Sequence, residues 1–151
     1  MVICAIVVIM KHAAKALIRD DQGKILVLYR SETHPHLAHD IDLPGGEIEV
    51  DETPEIGLKR EIMEETDLDI TPTTEEMVSS WRSFFGAIHM LYEVEVPANP
   101  SIKISWEHES YVWMSEEDLL NATVDDEFMH KVQDWLGQRE ASGSSQVMAR
   151  A

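Results

Sequence analysis

The sequence predicts an α/β protein in which one mixed sheet lies between helices, and three observations carry that expectation. Short apolar stretches at residues 16–18 and 24–29 flank Asp20-Asp21-Gln22-Gly23, whose turn-forming Asp and Gly read as a β-hairpin. Residues 53–67 combine helical spacing with helix-start signals: Thr53 as cap, Pro54 at the first helical position and Glu55 at the positive N-terminal end. Beyond Pro72 the pattern returns to strands. At 151 residues, 44% apolar and 27% charged, the chain suits one domain with its own core rather than disorder or a coiled coil.

In chain order, residues 2–10 are uniformly apolar but far short of the roughly 20 residues that a membrane-spanning helix needs. With no basic start and no clear cleavage site, residues 1–12 read as an edge strand or an N-terminal extension, not an anchor. The hairpin is followed by a polar, His-rich loop and then Leu43-Pro44-Gly45-Gly46, where regular helix is excluded. After the helix, strands are expected at residues 77–85 and 88–96, joined at Gly86-Ala87. Pro97 and Pro100 then break the chain ahead of another strand at residues 102–114. Ser115 caps a short helix through Leu120. A closing helix at residues 125–136 has Phe128, Val132, Trp135 and Leu136 on one face and stops at Gly137. Residues 13–137 would form the domain and 138–151 a small, polar, mobile tail.

Charge narrows the function. Twelve Lys and Arg against 29 Asp and Glu give a net charge of −17. Such a surface repels nucleic-acid backbones and anionic lipid, so duplex binding and membrane association are excluded classes. A small anionic substrate stays open if a cation mediates. Cys4 is the only cysteine, so neither an internal disulfide nor a Cys-based zinc site can form, as fits a reducing cytoplasm.

The acid is concentrated. Between Gly45 and Ile70 stand ten acidic residues and two basic ones, Lys59 and Arg60. Glu61, Glu64 and Glu65 share one helical face, while Leu58 and Ile62 form the adjacent apolar edge. Three carboxylates within one turn repel unless something positive sits among them, and a hard divalent cation with oxygen ligands is the natural partner. Arg60 reaches Glu64 at the i,i+4 spacing. A solvent-facing acidic helix would explain the glutamates, but not the double glycine together with the spaced Glu52 and Arg60.

Gly46, Glu52 and the run Arg60-Glu61-Ile62-Met63-Glu64-Glu65-Thr66-Asp67-Leu68 resemble the Nudix box, G-x5-E-x7-R-E-U-x-E-E-x-G-U with U a bulky aliphatic residue. Leu43-Pro44-Gly45 ahead of it is also typical of the family. Asp67 departs from the pattern, standing where the family has the glycine that ends the helix in a left-handed conformation. The resemblance implies a Nudix α/β/α sandwich, and hydrolysis of a nucleoside diphosphate linked to another group, with Mg²⁺ or Mn²⁺ as cofactor. Glu61, Glu64 and Glu65, with the Gly45 carbonyl, would be metal ligands, Arg60 would orient the glutamates, and Glu52 would join the network. Gly46 and Arg30 would contact substrate, although Arg30 could equally pair with surface acid. The general base varies within the family. It is a box glutamate or one on a later loop, where Trp106-Glu107-His108-Glu109 makes Glu107 the first choice and Glu109 the reserve.

His34, His36 and His39 fall within six residues and suggest either a transition-metal site or a loop that touches substrate. Trp81, Phe84 and Phe85 are base-stacking or core residues, Met63 and Met77 packing residues, and His108 a solvent-facing histidine. Within the family, nucleoside triphosphates are favoured because the short chain lacks an extra N-terminal dimerisation domain. ADP-ribose, nucleotide sugars and dinucleoside polyphosphates are alternatives, as is a catalytically silent nucleotide sensor, and a homodimer is left open. An acidic Ca²⁺ module is disfavoured, since no EF-hand loop is present.

Overall fold

Strand β1 (Ala13–Arg19) lies centrally because its small and apolar residues can be covered on both faces: Ala14, Ala16 and Ile18 bury on one side and Leu17 on the other. The computed structural model describes residues 11–84, 86–98 and 100–149, so the apolar residues 2–10 and Phe85 lie outside the described residues. Strands β2 (Ile25–Arg30), β3 (Ile41–Asp42) and β4 (Gly45–Glu47) follow, then helix α1 (Pro54–Thr66). Strands β5 (Met77–Arg82), β6 (Ile88–Glu95) and β7 (His108–Met114) lead to helices α2 (Glu116–Asn121) and α3 (Glu127–Ala149).

The sheet runs β3-β2-β1-β6-β5, with β4 beside β1 and β7 beside β2. Among the described residues only β1 and β6 pair in parallel, so the sheet is mixed, as expected. Leu58 and Ile62 of α1 cover one face, against Ala14, Ile18, Leu26, Leu28 and Tyr92. Phe128, Met129, Val132 and Leu136 of α3 cover the other, against Leu17, Val27, Leu43 and Leu91. This is the α/β/α sandwich. No helix among the described residues is long and apolar enough to cross a membrane.

One feature of the pairing opens the site. Along a single edge β1 changes partner: Ala13, Ala14 and Lys15 pair with Glu47, Gly46 and Gly45, whereas Arg19 pairs with Ile25 of β2. A cavity of about 440 Å³ lies where these strands part, lined by residues of β1, β2, β3, β4 and α1.

Helix α1 begins as the sequence indicates, with Thr53 Oγ1 accepting the Ile56 N–H at 3.2 Å and Pro54 in the first turn. It ends with Asp67 in the left-handed region (φ 63°), its N–H donated to the Met63 carbonyl at 3.0 Å. Asp67 therefore supplies the turn that glycine supplies in the family pattern. Asp67→Gly should raise stability by about 0.5–1 kcal/mol, the left-handed penalty less glycine's extra unfolded-state entropy. Urea unfolding checks this, and an unchanged or lowered midpoint would contradict it.

Three expectations need correction. Gly137 does not stop α3, which continues through residues 138–149. Glycine in a helix costs only about 1 kcal/mol relative to alanine, and Arg139 anchors the next turn through Glu93 at 2.7 Å and the Trp135 ring. Residues 102–107 are not strand. Ile102 and Ile104 pack on the α1-side core, and the backbone turns back to α1, Lys103 N–H to Thr66 O and Ser105 N–H to Glu65 O. Met63 and Met77 are exposed rather than packed.

Candidate active site

Arg60 gathers the acidic face of α1. Its Nε and Nη2 donate to the two oxygens of Glu52 at 2.9 and 2.8 Å, a bidentate pair. Its Nη1 reaches Glu61 at 3.0 Å and Glu64 at 3.4 Å, and Nη2 also donates to the Glu47 carbonyl at 3.1 Å. One guanidinium thus fixes three carboxylates and the end of β4. Hydrogen bonds from Arg60 and from the Glu49 N–H hold the Glu52 carboxyl down to about 2.

The double glycine makes room for that face. At Gly45 (φ 138°) an added Cβ would stand 2.2 Å from the Ala14 carbonyl oxygen, and at Gly46 one would stand 2.8 Å from the Glu61 carboxyl carbon. Any side chain at either position would push β4 off β1 or displace Glu61. The Gly45 N–H donates to Glu65 at 3.0 Å. Glu65 is buried, and burial pushes its pKa well up although Lys15 and that hydrogen bond partly offset the effect. Burial raises Glu61 as well, against the pull of Arg60. Glu61 and Glu65 line the cavity together with Glu107, while Glu64 stands toward solvent on the Arg60 fork.

One buried and one half-buried carboxylate that resist ionisation, with two further glutamates beside them, suit a hard divalent cation: oxygen donors in excess of the positive charge that would neutralise them. Glu61, Glu64 and Glu65 fit that ion by their donor chemistry.

A family model, the NUDIX domain, matches residues 10–136. The chain belongs to the Nudix family. Its structure resembles that of the MutT protein from Methanosarcina mazei Go1 at 26% identity and a TM-score of 0.72, covering 89% of this chain and 95% of that one. It resembles the E. coli ORF135 protein at 29% identity and a TM-score of 0.64, covering 87% and 92%. At the level of fold alone it also resembles the Nudix domain of Shewanella oneidensis NrtR complexed with ADP ribose, at 21% identity and a TM-score of 0.66, covering 87% and 89%. A comparison with curated proteins finds no match. With the box glutamates present, the protein is a Nudix pyrophosphohydrolase.

Of the residues expected at the Nudix site, the structure brings Gly45, Gly46, Glu52, Arg60, Glu61, Glu64 and Glu65 together around α1. Of the two later glutamates, Glu107 lines the cavity, and Glu109 instead faces exposed His39 at 3.2 Å. Arg30 is buried and lines the cavity, with Nε donating to Asp42 at 3.2 Å and Nη2 3.8 Å from the partly exposed Asp126. The three loop histidines do not converge: His34 and His36 line the cavity, and His39 turns to Glu109. Trp81 is half-buried against Phe128 in the α3-side core.

Sequence reasoning missed Lys15, Asp42 and the burial of His108. Lys15 Nζ donates to Asp42 deep in the cavity, and His108, expected in solvent, is buried with Nε2 3.7 Å from the same carboxylate. The available signals were a lone lysine inside the apolar run Ala13-Ala14-Lys15-Ala16-Leu17-Ile18 and an acid just ahead of Leu43-Pro44-Gly45.

Proposed function

We propose that this Nudix protein is a Mg²⁺- or Mn²⁺-dependent hydrolase that cleaves a diphosphate bond in a nucleoside diphosphate-linked substrate, with nucleoside triphosphates as the favoured class. The observation that carries this reading is the set of Glu52, Glu61 and Glu64 gathered by Arg60 beside a cavity that Glu61 and Glu65 line. Glu61, Glu64, Glu65 and the Gly45 carbonyl would hold the ion, which when bound supplies charge neutralisation and acidifies a coordinated water. Arg60 keeps the glutamates in place, and Glu52 keeps Arg60 in place. Glu107, on the cavity wall, takes the proton of the attacking water as its oxygen bonds to phosphorus and the bridging P–O bond breaks. Arg30, buried at the same cavity, suits a phosphate of the substrate, and Gly46 lets it approach the backbone closely.

The test is phosphate and monophosphate release with Mg²⁺, with and without chelator, across nucleoside triphosphates, oxidised triphosphates, ADP-ribose, nucleotide sugars and dinucleoside polyphosphates. Chelator-sensitive turnover of a triphosphate is expected. Turnover confined to ADP-ribose or a nucleotide sugar would move the substrate class. Nucleotide binding with no turnover across the set would make the protein a sensor.

A further inference from the structure

The His108 side chain is fully buried, and neither of its ring nitrogens has a hydrogen-bond partner among the described residues. Protein interiors rarely leave such a ring unmet, because it has given up water without a replacement. Its Nε2 stands 3.7 Å from Asp42 Oδ2, too far for a hydrogen bond. His34 approaches the same place from the loop after β2, its ring centre 5.9 Å from that of His108. His34, Asp42 and His108 offer ligand atoms that all lie within 4.8 Å of one another. None of the three belongs to the glutamates that Arg60 gathers.

The donor set is that of a borderline metal. Two imidazoles and one carboxylate suit Zn²⁺, whereas Mg²⁺ keeps to oxygen. Asp42 can serve without losing its place, since Lys15 Nζ and the Leu43 N–H hold Oδ1 and leave Oδ2 for the ion. Arg30 Nε is on Oδ2 at 3.2 Å, but its Nη2 already stands 3.8 Å from Asp126, a carboxylate to which it can move. Charge does not oppose a further cation, because six carboxylic side chains line the cavity against Lys15 and Arg30. His34 Nδ1 meets the His36 backbone at 2.8 and 3.1 Å, which fixes the ring and keeps its other nitrogen for a ligand. Ligand atoms stand about 3.4 Å apart round a tetrahedral ion with bonds of about 2.1 Å, so the three must draw in by no more than about 1.5 Å. His34 is partly exposed on its loop and can supply that movement.

We propose that His34, Asp42 and His108 form a second metal site, which takes Zn²⁺ in preference to Mg²⁺ and restrains turnover when filled. Three protein ligands leave a fourth position for water. The ion would join β3, β7 and the loop after β2 at the cavity wall, drawing His34 inward and narrowing the approach to the glutamates. Binding stands on this cluster alone, whereas the restraint on turnover rests on the reading of the cavity as a hydrolase site.

The test is calorimetric titration of the full chain with Zn²⁺ in millimolar Mg²⁺, with Co²⁺ absorption as a second readout of nitrogen ligation. Wild type is expected to bind one Zn²⁺ per chain against that Mg²⁺. His34→Ala should weaken binding by about tenfold or more, since even the loss of a ligand's hydrogen-bond partner costs that much. His39→Ala and Glu64→Gln should keep it. His34 is partly exposed, so its variant keeps the fold even where a change at buried His108 does not. Zinc should also lower Mg²⁺-dependent turnover several-fold in wild type and not in His34→Ala. No Zn²⁺ binding by wild type, or binding that His34→Ala weakens no more than Glu64→Gln does, overturns the site. Zinc held through His34 with turnover unaffected keeps the site and overturns the restraint. Zinc held through His34 with no turnover under any metal supports the site and refutes the hydrolase reading. Turnover without zinc binding refutes the site alone.

Discussion

Glu64→Gln and Glu65→Gln are each expected to cut turnover by about 10²-fold or more while nucleotide binding changes only a few-fold. Glutamine preserves volume and one acceptor oxygen but removes the negative charge that a hard cation or a transferred proton needs. The two positions differ in setting, which makes the pair informative. Glu64 is exposed and held only by the outer reach of Arg60, whereas Glu65 is buried and receives the Gly45 N–H. At Glu65 the substitution also removes a charge that burial disfavours. The metal-free Glu65→Gln protein should therefore unfold at no lower temperature than wild type at neutral pH, separating lost chemistry from lost fold. Near-wild-type turnover in both variants would remove these residues from the site.

The parts legible in the sequence are those in which local chemistry and function coincide. Thr53 and Pro54 set the start of α1 whatever lies around them, and the spacing of Arg60, Glu61, Glu64 and Glu65 is a property of one helix. Asp67 ended that helix correctly because an Asp tolerates the left-handed conformation better than most residues. The illegible part is built across strands. Lys15, Arg30, Asp42 and His108 come from β1, β2, β3 and β7, and no periodicity within one segment reports that their side chains meet. Register decides it. Residues 102–104 misled for the converse reason, because alternating isoleucines bury against the core without joining a ladder.

Asp42→Ala is expected to destabilise the fold by about 3–5 kcal/mol, the cost of leaving Lys15 and Arg30 buried without their shared carboxylate. Burial alone would raise the Asp42 pKa, but the charge of Lys15, the His108 ring 3.7 Å away and the charge of Arg30 hold it far below the usual carboxylate range. A depressed folded-state pKa stabilises the protein above the unfolded value of about 4, and that stability is lost progressively as pH falls from there toward the folded value. Glu61 and Glu65, with raised values, act in the opposite sense: their contribution is complete below the ordinary value and lost as pH rises through the folded one. Urea unfolding between pH 3 and pH 7 should therefore show a larger acid loss in wild type than in Asp42→Ala, and equal losses would contradict the assignment. The triple variant Lys15→Met, Arg30→Met, Asp42→Leu should recover most of the stability, since apolar replacement of a buried ionic group is often neutral or stabilising.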